Sequence, residues 1–261
     1  MRCLALSDLH YGLPQFDWLL AEAPHFDLII IAGDLLELSA SVDRRAQIVV
    51  VRKYLEKLNK LTQVVVCSGN HDLTGTASSG EQFADWLEDL GDDGMIADGQ
   101  SYRADNALIT ACPWWDGPHA QAGIAEQLAQ DAKKGARPWI WAYHAPPEES
   151  PVAWSGARFF GDSALSRWIA EYSPDVVLAG HVHEAPFVPG GGWATRIGST
   201  WVFNAGRQLG NLPSHIIFDL QAERAAWFSF EGAEELSLTS GAPPHPLQGL
   251  PDWLPASMGG P

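Results

Sequence analysis

Short apolar runs alternate with helical periodicity along the first half of the chain. Runs at residues 3–7, 28–32 and 64–68 have the length and apolar character of buried strands, whereas residues 44–61 carry a charged, amphipathic pattern typical of a helix. Parallel strands need a long crossover between them, and this helix supplies one. The pattern therefore predicts strand, strand, helix, strand with parallel pairing.

The pattern becomes richer in strands toward the C-terminus. Further helices are expected at residues 81–90, 120–134 and 163–172. Further strands are expected at residues 107–111, 139–143, 176–179, 193–197, 201–204, 216–220 and 225–230. Strands interspersed with helices early and grouped strands late indicate an α/β fold in layers, with two packed sheets and helices outside.

One globular domain is expected to occupy most of the chain. A sequence of 261 residues with 46% hydrophobic residues can bury a substantial core. From Ser237 onward proline and glycine are frequent, so we assign residues 1–236 to the domain and residues 237–261 to an irregular tail. Trp253 and Leu254 leave open that this tail docks on the body or on a second subunit.

The balance of charges limits the partners. Sixteen Lys and Arg residues against 32 Asp and Glu residues give a net charge of -16, which argues against binding extended nucleic acid or an anionic membrane surface. A small anionic phosphate ester is compatible with this charge, because bound divalent cations reverse the local potential. The oligomeric state stays open.

The first residues and the cysteines favour a cytoplasmic protein. The opening apolar run is interrupted at Asp8, too early for a signal-peptide core or a membrane span. Cys3, Cys67 and Cys112 are odd in number and lie in or beside apolar runs without disulfide or metal-ligand spacing. We expect them to be reduced, buried thiols.

Five short segments place Asp, His or Asn directly after an apolar run. They are Ser7-Asp8-Leu9-His10, Gly33-Asp34, Gly69-Asn70-His71-Asp72, Tyr143-His144 and Gly180-His181-Val182-His183. The loops that leave the carboxyl ends of strands gather at one edge of an α/β sheet, which is where ligands bind. We therefore expect these five segments to converge on one site.

The polar residues of these segments have the chemistry of metal ligands. Seven of them offer oxygen or nitrogen atoms: Asp8, His10, Asp34, Asn70, His144, His181 and His183. Seven ligands are too many for one ordinary ion and suit two, and the absence of thiolates favours divalent Mn, Fe, Co, Ni or Zn. Two such ions can share a bridging water, lower its pKa and so provide a metal-bridging hydroxide that attacks a phosphate ester in line.

The five motifs, in this order, resemble the calcineurin-like metallophosphoesterases. The pattern of that family is D-x-H, G-D, G-N-H-[ED], a lone His and G-H-x-H, and in this chain it spans residues 8–183. The resemblance implies a four-layer α-β-β-α sandwich in which two mixed β-sheets lie between helices. It also implies a binuclear metal centre and hydrolysis of a phosphate ester.

The resemblance assigns a role to each residue of the motifs. It implies that one metal is held by Asp8, His10, Asp34 and His183, and that a second is held by Asp34, Asn70, His144 and His181. Asp34 would bridge the two ions. His71 would be the catalytic histidine, protonating the leaving group or stabilising the transition state. Asp72 would orient the imidazole of His71.

Departures from the family pattern reduce the number of candidate activities. Glu37 replaces a second carboxylate that many relatives have three residues after the bridging Asp, a change that leaves the set of metal ligands intact. No Arg-Gly pair follows Asp34, which disfavours a protein Ser/Thr phosphatase. The segment Tyr143-His144-Ala145-Pro146-Pro147 is similar to the His-His-Pro-Pro segment of relatives that cleave diesters. From the motif Asn70-His71-Asp72 and the absence of the protein-phosphatase arginine, we predict a phosphodiesterase acting on a small or nucleotide-like ester. The alternatives are a phosphomonoesterase with the same metals and, less favoured, a nuclease or a non-catalytic metal-binding scaffold.

Several residues outside the motifs stay open. Trp114 and Trp115 follow a predicted strand and are candidates for the wall of a substrate cleft, although core packing is the commoner role of tryptophan. Arg207 also follows a late strand, and we interpret it as a solvated loop arginine in preference to a phosphate ligand. The remaining histidines have no such neighbours in sequence and are interpreted as structural.

Overall fold

Two mixed β-sheets form the centre of the protein. The computed structural model describes residues 1–88, 90–91 and 94–259. The strands, in chain order, are β1 (Arg2–Leu6), β2 (Leu28–Ala32), β3 (Gln63–Cys67), β4 (Gly75–Thr76), β5 (Gln82–Phe83), β6 (Ser101–Ala104), β7 (Ala107–Ala111), β8 (Trp139–Ala142), β9 (Val176–Ala179), β10 (Ala194–Ile197), β11 (Thr200–Asn204), β12 (His215–Asp219), β13 (Arg224–Ser229), β14 (Gly232–Ser237) and β15 (His245–Pro246). The α-helices are α1 (Leu13–Glu22), α2 (Arg44–Asn59), α3 (Asp85–Glu88), α4 (Pro118–Ala132) and α5 (Ser163–Tyr172).

The strand order brings early and late parts of the chain into each sheet. Within the described residues the first sheet has the order β15-β14-β13-β12-β1-β2-β3, and the second has the order β10-β11-β9-β8-β7-β6. The pairs β1-β2 and β2-β3 are parallel, as the sequence pattern predicts. In the second sheet β7, β8, β9 and β11 are parallel neighbours, and antiparallel strands complete both sheets.

Three buried clusters show how the layers pack. In β1, Cys3 and Ala5 face a cluster shared with the inner face of the second sheet, while Leu4 and Leu6 face a cluster shared with α1 and α2. This alternation follows from the two-residue period of a strand. A third cluster joins the outer face of the second sheet to α4 and α5. The layer order is therefore helices, sheet, sheet, helices, as the family resemblance implies.

The structure departs from the sequence pattern in a few elements. The helix expected at residues 81–90 is confirmed only in part: Gln82 and Phe83 instead form a strand that pairs with β4, and an α-helix follows at Asp85–Glu88. Residue 89 lies outside the described residues. The sequence pattern does not predict helix α1 or strands β4, β5, β6, β14 and β15. Helix α1 has ten residues and buries few apolar side chains, among them Phe16 and Leu19, so its periodicity is weak.

The proline-rich C-terminal segment lies against the first sheet and its helices. Strand β15 pairs with β14, Leu254 is buried in the cluster formed with α1 and α2, and Trp253 packs on the same cluster. The described part of the expected tail, residues 237–259, is thus docked on the body over part of its length. Residues 260 and 261 of that expected tail lie outside the described residues. The boundary between domain and tail stays a prediction.

Two further sequence expectations concern the cysteines and membrane spans. Cys3, Cys67 and Cys112 are free and buried, and burial raises the pKa of each thiol, which keeps it protonated and unreactive. In the described part of the chain, none of the helices is both long enough and apolar enough to cross a bilayer.

Candidate metal centre

The five predicted segments meet at the carboxyl ends of β1, β2, β3, β8 and β9. Backbone hydrogen bonds fix the first two loops to each other: the N–H of Asp8 donates to the carbonyl of Gly33 at 3.0 Å, and that of His10 to the carbonyl of Asp34 at 2.9 Å. The N–H of Gly180 donates to the carbonyl of His144 at 2.8 Å, which joins the loops after β8 and β9. All seven predicted ligands and His71 therefore lie at one edge of the two sheets.

Two glycines are required by the close approach of these loops. A Cβ atom on Gly69 would lie 2.2 Å from Oδ1 of Asp34, and one on Gly33 would lie 2.5 Å from Nδ1 of His144. Gly33 also has φ +87°, in the left-handed region that glycine tolerates best. Asp34 itself has φ 56°, a conformation that non-glycine residues adopt rarely and mostly at functional sites.

Two buried carboxylates lie at the centre of the histidines. Oδ2 of Asp34 lies 3.3 Å from Nε2 of His144 and 3.6 Å from Nε2 of His10. Oδ1 of Asp8 lies 3.2 Å from Nε2 of His183 and 3.8 Å from Nε2 of His10. Each carboxylate therefore faces imidazole nitrogens that come from different strands.

The ligand atoms of Asp8, His10, Asp34 and His183 form one compact group, all within 4.8 Å of one another. The Nε2 atoms of His10 and His183 lie 3.1 Å apart. Two nitrogens bound to one tetrahedral zinc ion at about 2.1 Å from it lie roughly 3.4 Å apart. The four side chains thus offer the donor atoms and the spacing of a site for a divalent metal ion.

A second group of donors adjoins the first. Nδ1–H of His144 donates to the carbonyl of Ala32 at 2.7 Å, which turns Nε2 toward Asp34, and this buried Nε2 has no hydrogen-bond partner among the described residues. Nδ1 of His181 lies 2.9 Å from Oδ1 of Asn70. A buried, unpartnered imidazole nitrogen beside a carboxylate fits a metal ligand, because burial without a partner is otherwise costly.

The carboxylates carry lowered pKa values. Burial alone raises the pKa of Asp8, but hydrogen bonds with His10 and His183 hold it well below its usual range. Burial likewise opposes the shift at Asp34, where the neighbouring His144 lowers the pKa. Both groups are therefore ionised across the physiological range, as ligands of a cation must be.

The pKa values of His144 and His181 are shifted in opposite directions. Burial lowers the pKa of His144, yet Asp34 and Asp8 raise it to about 10. Burial and the nearby His144 lower the pKa of His181 to about 4. A cation bound between these groups would take the place of the proton on His144, since a ligating imidazole has to be neutral.

The predicted role of Asp72 is wrong. Its carboxylate does not contact His71 but accepts four backbone N–H groups, those of Asp34, Leu35, Leu36 and Gly69, at 2.8 to 3.0 Å. Burial raises the pKa of Asp72 to about 8, and the N–H groups act in the opposite direction. Asp72 therefore fixes the backbone of the loop that carries Asp34, which the sequence motif alone does not reveal.

Glu37, and not Asp72, is the carboxylate that lies beside the imidazole of His71. Its carboxylate lies 3.9 Å from Nδ1 of His71 and 3.5 Å from Nδ1 of His10, and in the described part of the chain both of these buried nitrogens are otherwise without a hydrogen-bond partner. Nε2 of His71 lies 4.0 Å from Oδ2 of Asp34. Burial lowers the pKa of His71, so the neutral imidazole is favoured.

Arg207 belongs to this site, and its interpretation as a solvated loop residue is wrong. Its guanidinium lies 3.5 Å from Oε2 of Glu37, and its side chain is 26% exposed. Its backbone N–H donates to the carbonyl of His183 at 3.1 Å. Arg207 follows β11, and β11 pairs with β9, so the sheet topology brings it to the ligand loop that follows β9.

Two open clefts flank the ligand group. The first, which we name the aromatic cleft, has a volume of 410 Å³ and is lined by Trp114, Trp115, Tyr143, Phe160 and Asp162 together with His144 and His181. The second cleft, of 450 Å³, is lined by Ser155, Arg158, Phe160, His181, His183 and Glu184. Phe160 and His181 border both clefts, so they separate two spaces beside the candidate metal ligands.

Solved structures share this fold at low sequence identity. TT1561 of Thermus thermophilus is 15% identical with a TM-score of 0.56, over 91% of this chain and 98% of that chain. A putative 5'-nucleotidase from Staphylococcus aureus, in complex with alpha-ketoglutarate, is 12% identical with a TM-score of 0.53, over 91% and 54%. Purple acid phosphatase PPD1 from yellow lupin (Lupinus luteus) is 11% identical with a TM-score of 0.52, over 93% and 52%. These likenesses concern the fold alone.

The sequence itself identifies the family. No curated protein sequence matches the chain significantly. Residues 1–185 match the family Calcineurin-like phosphoesterase, and this range includes every predicted metal ligand. The family is one of metal-dependent phosphoester hydrolysis, which agrees with the Asp and His donors grouped at the sheet edge. The chain therefore belongs to the calcineurin-like phosphoesterase family.

Proposed function

We propose that this protein is a phosphodiesterase that uses two divalent transition-metal ions to hydrolyse a small or nucleotide-like phosphodiester. The observation that carries the proposal is the convergence of two carboxylates, four imidazoles and one amide oxygen from five strand ends. Among them Nε2 of His144 is buried and has no hydrogen-bond partner within the described residues. Manganese, iron, cobalt, nickel and zinc all suit this set of oxygen and nitrogen donors.

Seven side chains would hold the ions. Asp8, His10, Asp34 and His183 would bind one, and Asp34, Asn70, His144 and His181 the other. Bound there, the ions supply the positive charge that holds the phosphate oxygens and makes the attacking water acidic. The position of Asp34 supports its shared role, because its Oδ2 lies within 4.0 Å of the Nε2 atoms of His10, His71 and His144.

His71 is placed to move a proton during hydrolysis. The oxygen of water forms a bond to phosphorus, the bond from phosphorus to one ester oxygen breaks, and the departing alkoxide gains a proton, so that diester and water give monoester and alcohol. The side chain of His71 is 23% exposed, more open than those of His10 and His144, and its Nδ1 faces Glu37. To protonate the leaving oxygen from Nε2 while Nδ1–H faces Glu37, His71 would first have to take up a second proton, and Glu37 would stabilise the resulting imidazolium.

The two clefts favour a diester. A diester carries a substituent on each side of the phosphorus, and open space lies on both sides of His181. A monoester would need only one such space. The ligands themselves do not separate the two substrates, since they act on the phosphoryl group that both share. A phosphomonoesterase thus remains the second candidate function.

The test is metal-restored hydrolysis of two chromogenic esters. The purified protein is stripped of metal with a chelator, supplied in turn with Mn²⁺, Ni²⁺ or Zn²⁺, and assayed with bis(p-nitrophenyl) phosphate and p-nitrophenyl phosphate. We expect at least one ion to restore cleavage, with a higher kcat/KM for the diester. Higher turnover of the monoester would indicate a phosphomonoesterase. Absence of cleavage of both esters with every ion would indicate a non-catalytic scaffold.

A further inference from the structure

The aromatic cleft is built differently from the second cleft. Its walls include the rings of Trp114, Trp115, Tyr143 and Phe160, and apart from the candidate ligands His144 and His181 its titratable lining includes the carboxyl groups of Glu148 and Asp162. The second cleft carries the carboxylate of Glu184 and also the guanidinium of Arg158, which lies 4.2 Å from the centre of the Phe160 ring. An anionic substituent therefore meets two carboxyl groups in the aromatic cleft, whereas in the second cleft Arg158 offsets the charge of Glu184.

The rings of the aromatic cleft lie close to the candidate ligands. The ring centre of Trp114 is 5.4 Å from that of His181 and 5.6 Å from that of His144. The ring centre of Phe160 is 6.5 Å from that of His181. A group attached to a phosphorus at the candidate metal centre, directly or through a short linker, is therefore within reach of these rings.

Hydrogen bonds fix the walls in place. The backbone N–H of Trp114 donates to Oγ of Ser68 at 2.8 Å, in the loop that also carries Asn70. Nε1–H of Trp115 donates to the hydroxyl oxygen of Tyr143 at 2.7 Å and to Asp162 at 3.0 Å, and the Tyr143 hydroxyl donates to Asp162. A cleft whose walls are already ordered loses little conformational entropy on binding.

Exposure distinguishes these rings from core residues. Phe160 is 38% exposed, and Trp114 and Trp115 are half-buried, although all are large aromatic side chains. Solvent-exposed aromatic surface beside a polar site is typical of ligand recognition, because a flat ring of a ligand that stacks there removes this apolar surface from water.

We propose that the aromatic cleft binds a flat, uncharged ring carried by the phosphodiester, stacked against Trp114, so that ring-bearing diesters are preferred over alkyl diesters. The ring would be the aryl group of a simple ester or the base of a nucleoside. This inference rests on the proposed function, because the phosphorus is taken to lie at the metal ligands.

The test compares binding of diester mimics that carry one ring or none. Isothermal titration calorimetry on the metal-loaded protein would give the Kd of the monomethyl esters of phenylphosphonate, cyclohexylphosphonate and methylphosphonate, and of the thymidine 5'-ester of methylphosphonate. We expect the phenyl compound to bind about tenfold more tightly than the methyl compound, the size of one stacking contact. The cyclohexyl compound, apolar but not flat, should bind more weakly than the phenyl compound.

Variants of the residues that line the aromatic cleft test where the ring of the ligand binds. Trp114→Ala and Phe160→Ala should each reduce the ratio of phenyl to methyl affinity at least threefold, whereas the adjacent Phe159→Ala, whose ring packs on Trp154 and does not line the cleft, should keep it. Phe160→Ala changes a side chain on an exposed segment, so it remains informative if Trp114→Ala fails to fold. Tighter binding of the thymidine ester than of the phenyl compound would assign a nucleobase, and the reverse order an aryl group.

The outcomes separate the inference from the proposed function. Equal affinity for the phenyl, cyclohexyl and methyl compounds, or a ratio unchanged in both Trp114→Ala and Phe160→Ala, would overturn the ring site even if metal-restored cleavage of bis(p-nitrophenyl) phosphate is observed. Absence of that cleavage with every ion would instead overturn the phosphodiesterase proposal.

Discussion

Glu37 connects three residues at the candidate centre that come from different parts of the chain. Its two carboxylate oxygens face Nδ1 of His10, Nδ1 of His71 and the guanidinium of Arg207. Burial opposes ionisation, but the N–H and hydroxyl of Ser39, together with His10 and Arg207, lower the pKa of Glu37. An ionised Glu37 would keep the proton of His71 on Nδ1 or, when His71 is protonated, stabilise its positive charge.

At the residue scale we expect Glu37→Gln to reduce kcat for the diester by about 10- to 100-fold while KM and metal content change little. The amide cannot stabilise a charged His71, yet the seven donors of the proposed ions remain in place. Steady-state kinetics and elemental analysis of the bound metal check this. Glu231→Gln, in an exposed turn, is the matched control, and equal kcat values in the two variants would contradict the positioning role of Glu37.

The sequence predicts the location of a site residue when that residue lies in one of the motifs. The seven donors and His71 are adjacent to strand ends in the sequence, so the motif places them together before any coordinates are known. Arg207 has no motif, and its approach to Glu37 depends on the pairing of β11 with β9. Asp72 lies in a motif, but its four backbone contacts depend on how two loops pack.

At the scale of elements, the site depends on close packing of the loops that end β2 and β3. Backbone N–H groups of both loops point at the carboxylate of Asp72, and the N–H of His71 donates to Oδ1 of Asp34 at 2.8 Å. These contacts leave no room for a side chain at Gly69, whose added Cβ would also lie 2.6 Å from the backbone nitrogen of Asp34. Small changes in loop separation would therefore displace a proposed bridging ligand.

We expect Gly69→Ala to lower the free energy of unfolding by about 1 to 3 kcal/mol, as overpacking does, and to weaken metal binding by about 10- to 100-fold because Asp34 must move. Urea denaturation and metal titration measure the two effects. Gly123→Ala is the matched control: Gly123 lies in α4 with open space around it, and alanine there should stabilise by about 0.5 to 1 kcal/mol. Wild-type metal affinity in Gly69→Ala would refute the steric argument.

Element boundaries follow from the sequence where a strand is buried on both faces. Residues 28–32 and 176–179 are continuous apolar runs, residues 107–111 are apolar except for Thr110, and β2, β9 and β7 have these same limits. The helix predicted at residues 81–90 begins later than the pattern indicates, at Asp85, because Gln82 and Phe83 pair with β4 and the N–H of Gln82 donates to Asp116 at 3.0 Å. Tertiary partners distant in sequence decide that segment.

At the scale of the whole molecule, the C-terminal segment contributes to the cluster between the first sheet and its helices. Leu254 is 4% exposed in that cluster. We expect Leu254→Ala to lower the free energy of unfolding by about 2 to 5 kcal/mol, as for other buried leucines, whereas Leu250→Ala, 39% exposed, should change it by less than about 0.5 kcal/mol. Urea denaturation checks both, and equal effects would mean that the segment is not docked in solution.

The stability of the whole molecule should also depend on pH through His215, which lies in β12 away from the metal ligands. Its ring stacks on Phe228 at 5.1 Å and lies 4.6 Å from Trp18, its Nδ1–H donates to the carbonyl of Pro213, and its buried Nε2 has no partner among the described residues. A proton on Nε2 would therefore place an unpaired charge in the core. Burial lowers the pKa of His215 to about 4.

Because the pKa of His215 is lower in the folded chain than its unfolded value of about 6.5, the unfolded chain binds more protons between these values. The stability that His215 contributes is complete above about pH 6.5 and is lost as the pH falls toward 4, which amounts to about 2 to 3 kcal/mol at pH 4.5. Urea denaturation of chelator-treated protein at pH 7.5 and 4.5 measures the loss. Between pH 7.5 and 4.5, the free energy of unfolding of His215→Phe should fall by about 2 to 3 kcal/mol less than that of the wild type. The free energy of unfolding of His25→Gln, a change at an exposed residue, should fall as much as that of the wild type. Equal losses in His215→Phe and the wild type would show that His215 accepts its proton without leaving the core.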